Sequence, residues 1–321
     1  MTATADEVLR AVFGYSEFRS NQRDVIETVL RGEDAFVLMP SGGGKSLCYQ
    51  IPSLLRPGAG IVVSPLISLM KDQVGALRAN GVRAAAYNSS LGAGEAGRVL
   101  SELRAGRLDL LYVSPERATS DGFLDRLATL GAAGVALIAV DEAHCISQWG
   151  HDFRPEYVEL RRLRERLPGA PLVALTATAD PHTRDDIRSQ LGLERAACFV
   201  SSFDRPNIRL EVVDKHNPHA QLQRFLARYG HAAKPGLHVS PWRPGQPGLE
   251  SAHEGEAGIV YCSTRRRTDD LAACLRARGI AAGAYHAGLS AEDRDEVQEA
   301  FIFDRIKIVV ATVAFGMGID K

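Results

Sequence analysis

A glycine triplet closed by a lysine and a serine, Ser41-Gly42-Gly43-Gly44-Lys45-Ser46, most narrows what this chain can fold into. Phe36-Val37-Leu38 before it is a short buried-strand signal, and Lys45-Ser46-Leu47 opens a helix. A tight glycine loop between strand and helix brings backbone N–H groups close to phosphate oxygens, with the helix dipole behind them. Lys45 is then expected at the β/γ-phosphates and the Ser46 hydroxyl on Mg2+. Met39 stands where the first, usually small, residue of this pattern belongs, but the three glycines preserve the mechanism. Further along, Asp141-Glu142-Ala143-His144 follows the apolar run Val135–Val140. Carboxylates at the C-terminal end of a buried strand sit where open α/β sheets bind ligands. Asp141 is expected to hold Mg2+ through water, and Glu142 to orient or deprotonate the attacking water. Either segment alone is explained by a glycine-rich turn or an acidic helix start. Their pairing points to a nucleoside-triphosphate site.

A length of 321 residues suggests about two domains, and a 45% hydrophobic content supplies two cores. The net charge of −1 announces no global positive field, so any polyanion groove must be local. Five cysteines (Cys48, Cys145, Cys198, Cys262, Cys274) form neither a CxxC pair nor a metal-ligand spacing, so no zinc site is expected. They read as reduced thiols of a cytoplasmic protein. The acidic start MTATADEVLR has no apolar signal region, and no run approaches a membrane span. Asn88-Ser89-Ser90 fits a glycosylation sequon by chance.

Short apolar runs alternate with helical periodicity. Strands are predicted at Phe36–Leu38, Gly60–Val63, Ala84–Tyr87, Leu110–Val113, Leu137–Val140 and Leu172–Leu175, with helices such as Ile67–Asn80 and Glu95–Ala105 between them. A second series covers Arg209–Val213, Gly258–Tyr261, Ala282–Tyr285 and Lys307–Ala311, with helices at Thr268–Arg278 and Ala291–Phe301. This alternation predicts two consecutive α/β domains with parallel sheets. Phe203-Asp204-Arg205-Pro206-Asn207 is the expected joint, which gives domains at 1–205 and 206–321. Residues 230–257 are crowded with Gly, Pro and His, and read as a flexible surface insertion. Trp242 within it is either a recognition anchor or a plain exposed aromatic.

Several segments together resemble the RecQ-family DNA helicases of helicase superfamily 2, along nearly all of the chain. They are Phe13-Gly14-Tyr15 with Phe18-Arg19 and Gln22, Ser41–Ser46, Val63–Gln73, Asp141–Trp149, Gly150–Pro155, Ala174–Ala179, Phe203–Asn207, Tyr285–Leu289 and Val309–Asp320. The resemblance implies two RecA-like domains, with ATP and Mg2+ as cofactors. The implied substrate is single-stranded and partly unwound duplex DNA, with movement 3′ to 5′ in recombination and repair. It also implies a cytoplasmic location, nucleoid-associated in a bacterium, and says nothing of protein partners.

Residue by residue, the resemblance puts Tyr15 against adenine, Gln22 on its Hoogsteen edge and Arg19 beside the nucleotide. Packing of an N-terminal helix is the bland alternative for Tyr15 and the expected role of Phe18. Ser64, Pro65 and Ser68 suit strand phosphates, while Ser68 also suits a helix cap. Trp149, Phe153 and Arg154 form a stack-and-clamp set for unpaired bases. Because this set follows the acidic pair closely, DNA binding could reposition Glu142, Gln148 and His151. Thr176-Ala177-Thr178 links phosphate status to the domain interface, or simply makes a hydroxyl turn. In the second domain Ser263 and Thr312 face DNA, and Asp320 faces nucleotide. Gly316 and Gly318 allow close backbone approach or form a tight turn.

The chain stops at Lys321, before the segment that carries the family's arginine finger and before its zinc-binding and winged-helix modules. The second sheet is therefore expected to be incomplete at its C-terminus, and rapid hydrolysis to be impaired. Rival readings are a non-catalytic ATP- and DNA-binding remnant, and a translocase without strand separation.

Overall fold

Buried β-branched runs organise the first half of the chain. In the computed structural model, which describes residues 3–148, 153–202, 208–231, 255–313 and 315, the chain divides into two compact units, Met1–Asn207 and Ile208–Lys321. The predicted joint at 203–207 lies outside the described residues.

The first unit opens with α1 (Ala5–Phe13) and α2 (Gln22–Leu30), then β1 (Ala35–Leu38) and α3 (Leu47–Leu55). Next come β2 (Ala59–Val63), α4 (Ile67–Ala79), β3 (Ala84–Tyr87), α5 (Ala93–Arg104) and β4 (Leu110–Val113). After α6 (Pro115–Ala118) and α7 (Asp121–Gly134), β5 (Val135–Val140) leads into a 3-10 turn, Ala143–Ile146. The unit closes with α8 (Pro155–Val158), α9 (Arg161–Arg166), β6 (Leu172–Thr176), α10 (Pro181–Leu191) and β7 (Ala197–Val200).

The seven strands run in the order β3-β4-β2-β5-β6-β1-β7, and every pairing is parallel. Strands covered on both faces need continuous apolar runs, which is what β1, β2, β4 and β5 carry. One core forms around Phe36, Ile61 and Ile138 and the other around Val37, Val62 and Leu137, so alternate residues of each strand fill opposite faces. With all strands parallel, the residues that follow β1, β2, β4, β5 and β6 share one end of the sheet. That end carries the glycine loop and the acidic pair.

The edge strand β7 was not expected. Its exposure alternates, with Cys198 and Val200 outward, and at four residues it is too short for that alternation to stand out. Ser68 is not a helix cap either, since α4 starts at Ile67 from Leu66, which makes no side-chain cap bond.

The second unit contains α11 (Pro218–Arg228), β8 (Gly258–Tyr261), α12 (Arg265–Arg276), β9 (Ala282–Tyr285), α13 (Ala291–Ile302) and β10 (Ile308–Ala311). Its sheet among the described residues has three parallel strands in the order β8-β10-β9. The strand predicted at Arg209–Val213 does not form. Leu210 is 90% exposed and Val212 99%, so the alternating pattern has no partner strand here. Most of the expected insertion, residues 232–254 with Trp242, lies outside the described residues. Its flanks meet, because Glu256 N donates to Tyr229 O at 2.9 Å and His231 Nε2 lies 2.6 Å from Glu256 O. The cysteines are free thiols, and burial pushes that of Cys48 up to about 12. Among the described residues no helix is long and apolar enough to cross a membrane.

Candidate active site

At the C-terminal end of β1 the chain turns over a loop that only glycine permits. Gly42 and Gly44 both adopt φ 76°, and a Cβ on Gly43 would lie 2.9 Å from Pro40 O. Met39, the residue out of pattern, is fully buried in the core beneath the loop, so its bulk never enters the cradle. Ser46 ends the loop as the residue before α3, whose first N–H groups turn back on the loop, Leu47 N donating to Gly44 O at 3.2 Å and Cys48 N to Lys45 O at 3.0 Å. Lys45 Nζ donates to Met39 O at 3.2 Å and thus lies folded across the loop.

Gln22 closes the same loop. Its Nε2 donates to Gly44 O at 3.0 Å and Gly43 O at 3.3 Å, while its Oε1 accepts from Arg19 N at 2.8 Å. Both ends of the amide that was expected on adenine are therefore engaged within the chain, and Gln22 is buried. Tyr15 is 47% exposed, with the Arg19 guanidinium 5.7 Å from its ring centroid. Phe18 packs partly buried against the cluster of Val8, Leu9 and Ile26.

Asp141 and Glu142 follow β5 at the same sheet end, and Asp141 N donates to Val63 O at 2.9 Å. Glu142 holds φ 47° and ψ 45°, a left-handed conformation that costs a non-glycine residue about 1–3 kcal/mol. The turn is braced from three sides. Glu142 N donates to Asp141 Oδ1 at 3.0 Å, and Tyr157 OH donates to Asp141 O at 3.0 Å. His144 Nδ1 lies 3.0 Å from Thr176 Oγ1 and 3.3 Å from Glu142 Oε2. Thr176 Oγ1 gives its one proton to Thr178 O, so it accepts from His144, which places that proton on Nδ1. Thr176 thus makes the hydroxyl turn and also ties β6 to the acidic turn. Tyr157 was missed in the sequence because nothing in Pro-Glu-Tyr-Val marks a buried hydroxyl.

Burial, together with the adjacent Glu142 carboxylate, pushes Asp141 up to about 7, and Lys45 pulls it partly back. The charge of Lys45 and the carboxylate of Asp141 therefore act on one another across the cradle. A folded-state value above the unfolded one means that the folded chain binds this proton more tightly. The associated stability is complete below about 4 and is lost as pH rises to about 7. In EDTA, Asp141→Asn is expected to remove this dependence and to be more stable than wild type at pH 8, by about 1–3 kcal/mol. Chemical denaturation at pH 5 and pH 8 checks it; a loss of stability equal at both values would count against a buried charge.

The outer residues divide. Ser64 is buried, with its Oγ lacking a hydrogen-bond partner, whereas Pro65 is half-buried and Ser68 exposed. Of Ser64, Pro65 and Ser68, the latter two therefore reach the surface without movement. Arg154 NH1 donates to Pro65 O at 3.0 Å, which joins these segments, and Phe153 is 37% exposed beside it. Gln148 is exposed; Trp149 and His151 lie outside the described residues. In the second unit Ser263 and Thr312 follow β8 and β10 at one end of that sheet. Ser263 Oγ accepts from Arg267 NH1 at 3.3 Å, and Thr312 N donates to Tyr285 O at 3.1 Å. Asp320, Gly316 and Gly318 lie outside the described residues.

Residues 19–187 match the profile of DEAD/DEAH box helicases, and residues 247–321 that of the helicase conserved C-terminal domain. The chain is 48% identical over 318 residues to the ATP-dependent DNA helicase RecQ of Pasteurella multocida, covering 99% of this chain and 46% of that protein. It is 41% identical over 323 residues to the ATP-dependent DNA helicase RecQ of Bacillus subtilis, covering 100% of this chain and 50% of that one. The chain spans about half the length of these relatives. The crystal structure of the DUF1998 helicase MrfA bound to DNA is similar with a TM-score of 0.70. That match covers 99% of this chain and 45% of that one at 14% identity, a likeness of fold alone. The two α/β units are RecA-like.

Proposed function

Since this chain belongs to the DEAD/DEAH box helicase family, in its RecQ group, we propose that it is the ATP-driven motor of a DNA helicase. The observation that carries this reading is the shared sheet end, where the glycine loop 41–46 faces the braced Asp141–Glu142 turn.

The residues fit Mg·ATP. The cradle over Gly43 is too tight for a side chain, Ser46 offers a hydroxyl, and buried Asp141 is a carboxylate in want of a cation. Ser46 and Asp141 would hold Mg2+, which neutralises charge on the phosphates. Lys45 exchanges Met39 O for phosphate oxygens, and the N–H groups of Gly42, Gly44, Lys45 and Ser46 bind the remainder, that of Gly43 being held by Pro40 O. Tyr15, Arg19 and Gln22 surround the base, so Gln22 must release Gly43 and Gly44 as nucleotide enters. Glu142 orients the attacking water and takes its proton, while His144 and Thr176 hold the carboxylate in place. Water oxygen bonds to the γ-phosphorus as the bridging oxygen departs with ADP.

Single-stranded DNA is proposed to lie over Pro65, Ser68, Phe153 and Arg154, and Trp149, Ser263 and Thr312 are proposed as further DNA-contacting residues. Movement 3′ to 5′, strand separation and a role in recombination and repair follow from the RecQ resemblance. Gln148 and His151 are proposed to relay DNA binding to Glu142, and Asp320 to touch nucleotide.

Phe153→Ala tests the DNA side. Loss of one stacked base costs about 1–3 kcal/mol, so affinity for oligothymidine should fall roughly tenfold while nucleotide affinity is kept. Fluorescence anisotropy reads the first and a fluorescent ATP analogue the second. An unchanged DNA affinity would move the strand path elsewhere.

A further inference from the structure

Beneath the nucleotide loop, polar side chains that the chemistry above leaves unused meet inside the apolar core. Gln50, on α3, is 5% exposed, and its one amide nitrogen serves two partners. It donates to Gln73 Oε1 on α4 at 2.9 Å and to the Tyr112 hydroxyl at the β4 position next to Val113 at 3.1 Å. Tyr112 OH in turn shares a 3.3 Å hydrogen bond with Tyr49 OH of α3, their rings set edge to face at 6.3 Å. Both tyrosines are 1% exposed. The backbone N–H groups of Tyr49 and Gln50 donate to Ser46 O at 3.2 and 2.9 Å, so the chain of contacts begins at the nucleotide loop.

Two features make this more than filling. Amide and phenol groups withdrawn from water are costly unless every contact is made, and phenylalanine or leucine would pack the same space without that demand. The bonded groups also lie on three elements with different roles. α3 starts at Ser46, β4 is the rigid floor, and α4 continues directly from the segment 64–68 proposed to meet DNA. No water reaches the tyrosines, so a shift of α4 relative to α3 leaves one of the two Gln50 amide protons without its acceptor. The positions of α4 and of Ser46 are thereby tied.

We propose that Gln50 and Gln73, with Tyr112 and Tyr49 behind them, form the positioning link by which DNA held against α4 and nucleotide held at Ser46 alter each other's affinity. This rests on the function proposed above. Ser46 is tied through its carbonyl oxygen to the N–H groups of Tyr49 and Gln50, so a shift of Ser46 on nucleotide binding carries to both side chains. Tyr49, Tyr112 and Gln50 then hold α4 through Gln73. Gln50 and Gln73 touch neither nucleotide nor DNA; they act through Ser46 and the 64–68 segment.

The test is a thermodynamic cycle on the full chain. Affinity for fluorescein-labelled oligothymidine is measured without nucleotide and with a non-hydrolysable ATP analogue and Mg2+. The ratio of the two affinities is the coupling. Gln50→Ala and Gln73→Ala are each expected to bring that ratio at least about fivefold closer to unity. Nucleotide affinity in the absence of DNA should stay within about twofold, and the double variant should be no worse than either single one. Gln73→Glu keeps an acceptor for Gln50 and should restore the coupling, a rescue that simple loss of packing would not produce. Tyr112→Phe preserves the core volume and carries the same test if an alanine variant does not fold. A wild-type ratio in Gln73→Ala, or a Gln73→Glu as impaired as alanine, would overturn the link while leaving the helicase reading intact. A wild-type chain that binds neither ligand would overturn both.

Discussion

Lys45→Ala is expected to lower affinity for Mg·ATP by about 10- to 100-fold. A charged hydrogen bond to phosphate contributes about 1.5–3 kcal/mol, and each 1.4 kcal/mol is tenfold. In the free chain the Lys45 ammonium is satisfied by a neutral carbonyl, Met39 O at 3.2 Å, which is readily exchanged for a phosphate oxygen. Removing it also deprives Asp141 of the cation that pulls its carboxyl back toward ionisation. The Asp141 proton should then be held still more tightly, so the deficit should deepen as pH falls toward about 7 and level off below it. Calorimetric titration at pH 6.5 and pH 8.0 checks both parts. Unchanged affinity at both would place the phosphates elsewhere.

Glu142→Gln is expected to separate binding from turnover. Loss of a positioned base lowers hydrolysis by about 10²–10⁴-fold, whereas nucleotide affinity should stay within a few-fold. The glutamine keeps the volume and still offers an oxygen to His144 Nδ1, which lies 3.3 Å from Glu142 Oε2. The left-handed turn at this residue is set by the backbone, by Asp141 Oδ1 accepting from its N–H, and by Tyr157 on Asp141 O. The geometry should therefore survive the substitution. Phosphate release under saturating Mg·ATP measures the effect, and a variant hydrolysing at the wild-type rate would remove Glu142 from the chemistry.

What the sequence made legible is what local chemistry dictates. The glycine loop, the acidic pair and the runs of β1 through β6 each carry their signal within a few residues, and β8 and β9 fall at the predicted bounds. Burial on both faces makes a parallel strand continuously apolar, which is why Val135–Val140 could be read directly. The failures are of another kind. Arg209–Val213 alternates like a strand, yet alternation specifies a surface and not a partner, and Leu210 and Val212 stand in solvent. β7 is an edge strand with half its residues outward, so its pattern is faint.

In the site, sequence reasoning named Gln22 but could not foresee that the P-loop carbonyls already occupy its amide. It placed Ser64 among DNA contacts, whereas the fold buries that hydroxyl. The contacts of Tyr157 with Asp141 and of Gln50 with Gln73 join residues distant in the chain through the interior. No local pattern announces such pairings. They exist only once the sheet has brought the elements together.

Hydrogen–deuterium exchange of the full chain tests the central claim most directly, because it reads both ligands on one map. Mg·ATP is predicted to slow exchange at residues 39–48 and 141–148, where N–H groups face phosphate or brace the acidic turn. Oligothymidine is predicted to slow exchange at 64–70 and 153–158, and the two ligands together to protect α4 more than the sum of each alone. Protection by Mg·ATP that spares the glycine loop, or DNA protection confined to segments away from 64–70 and 153–158, would contradict it.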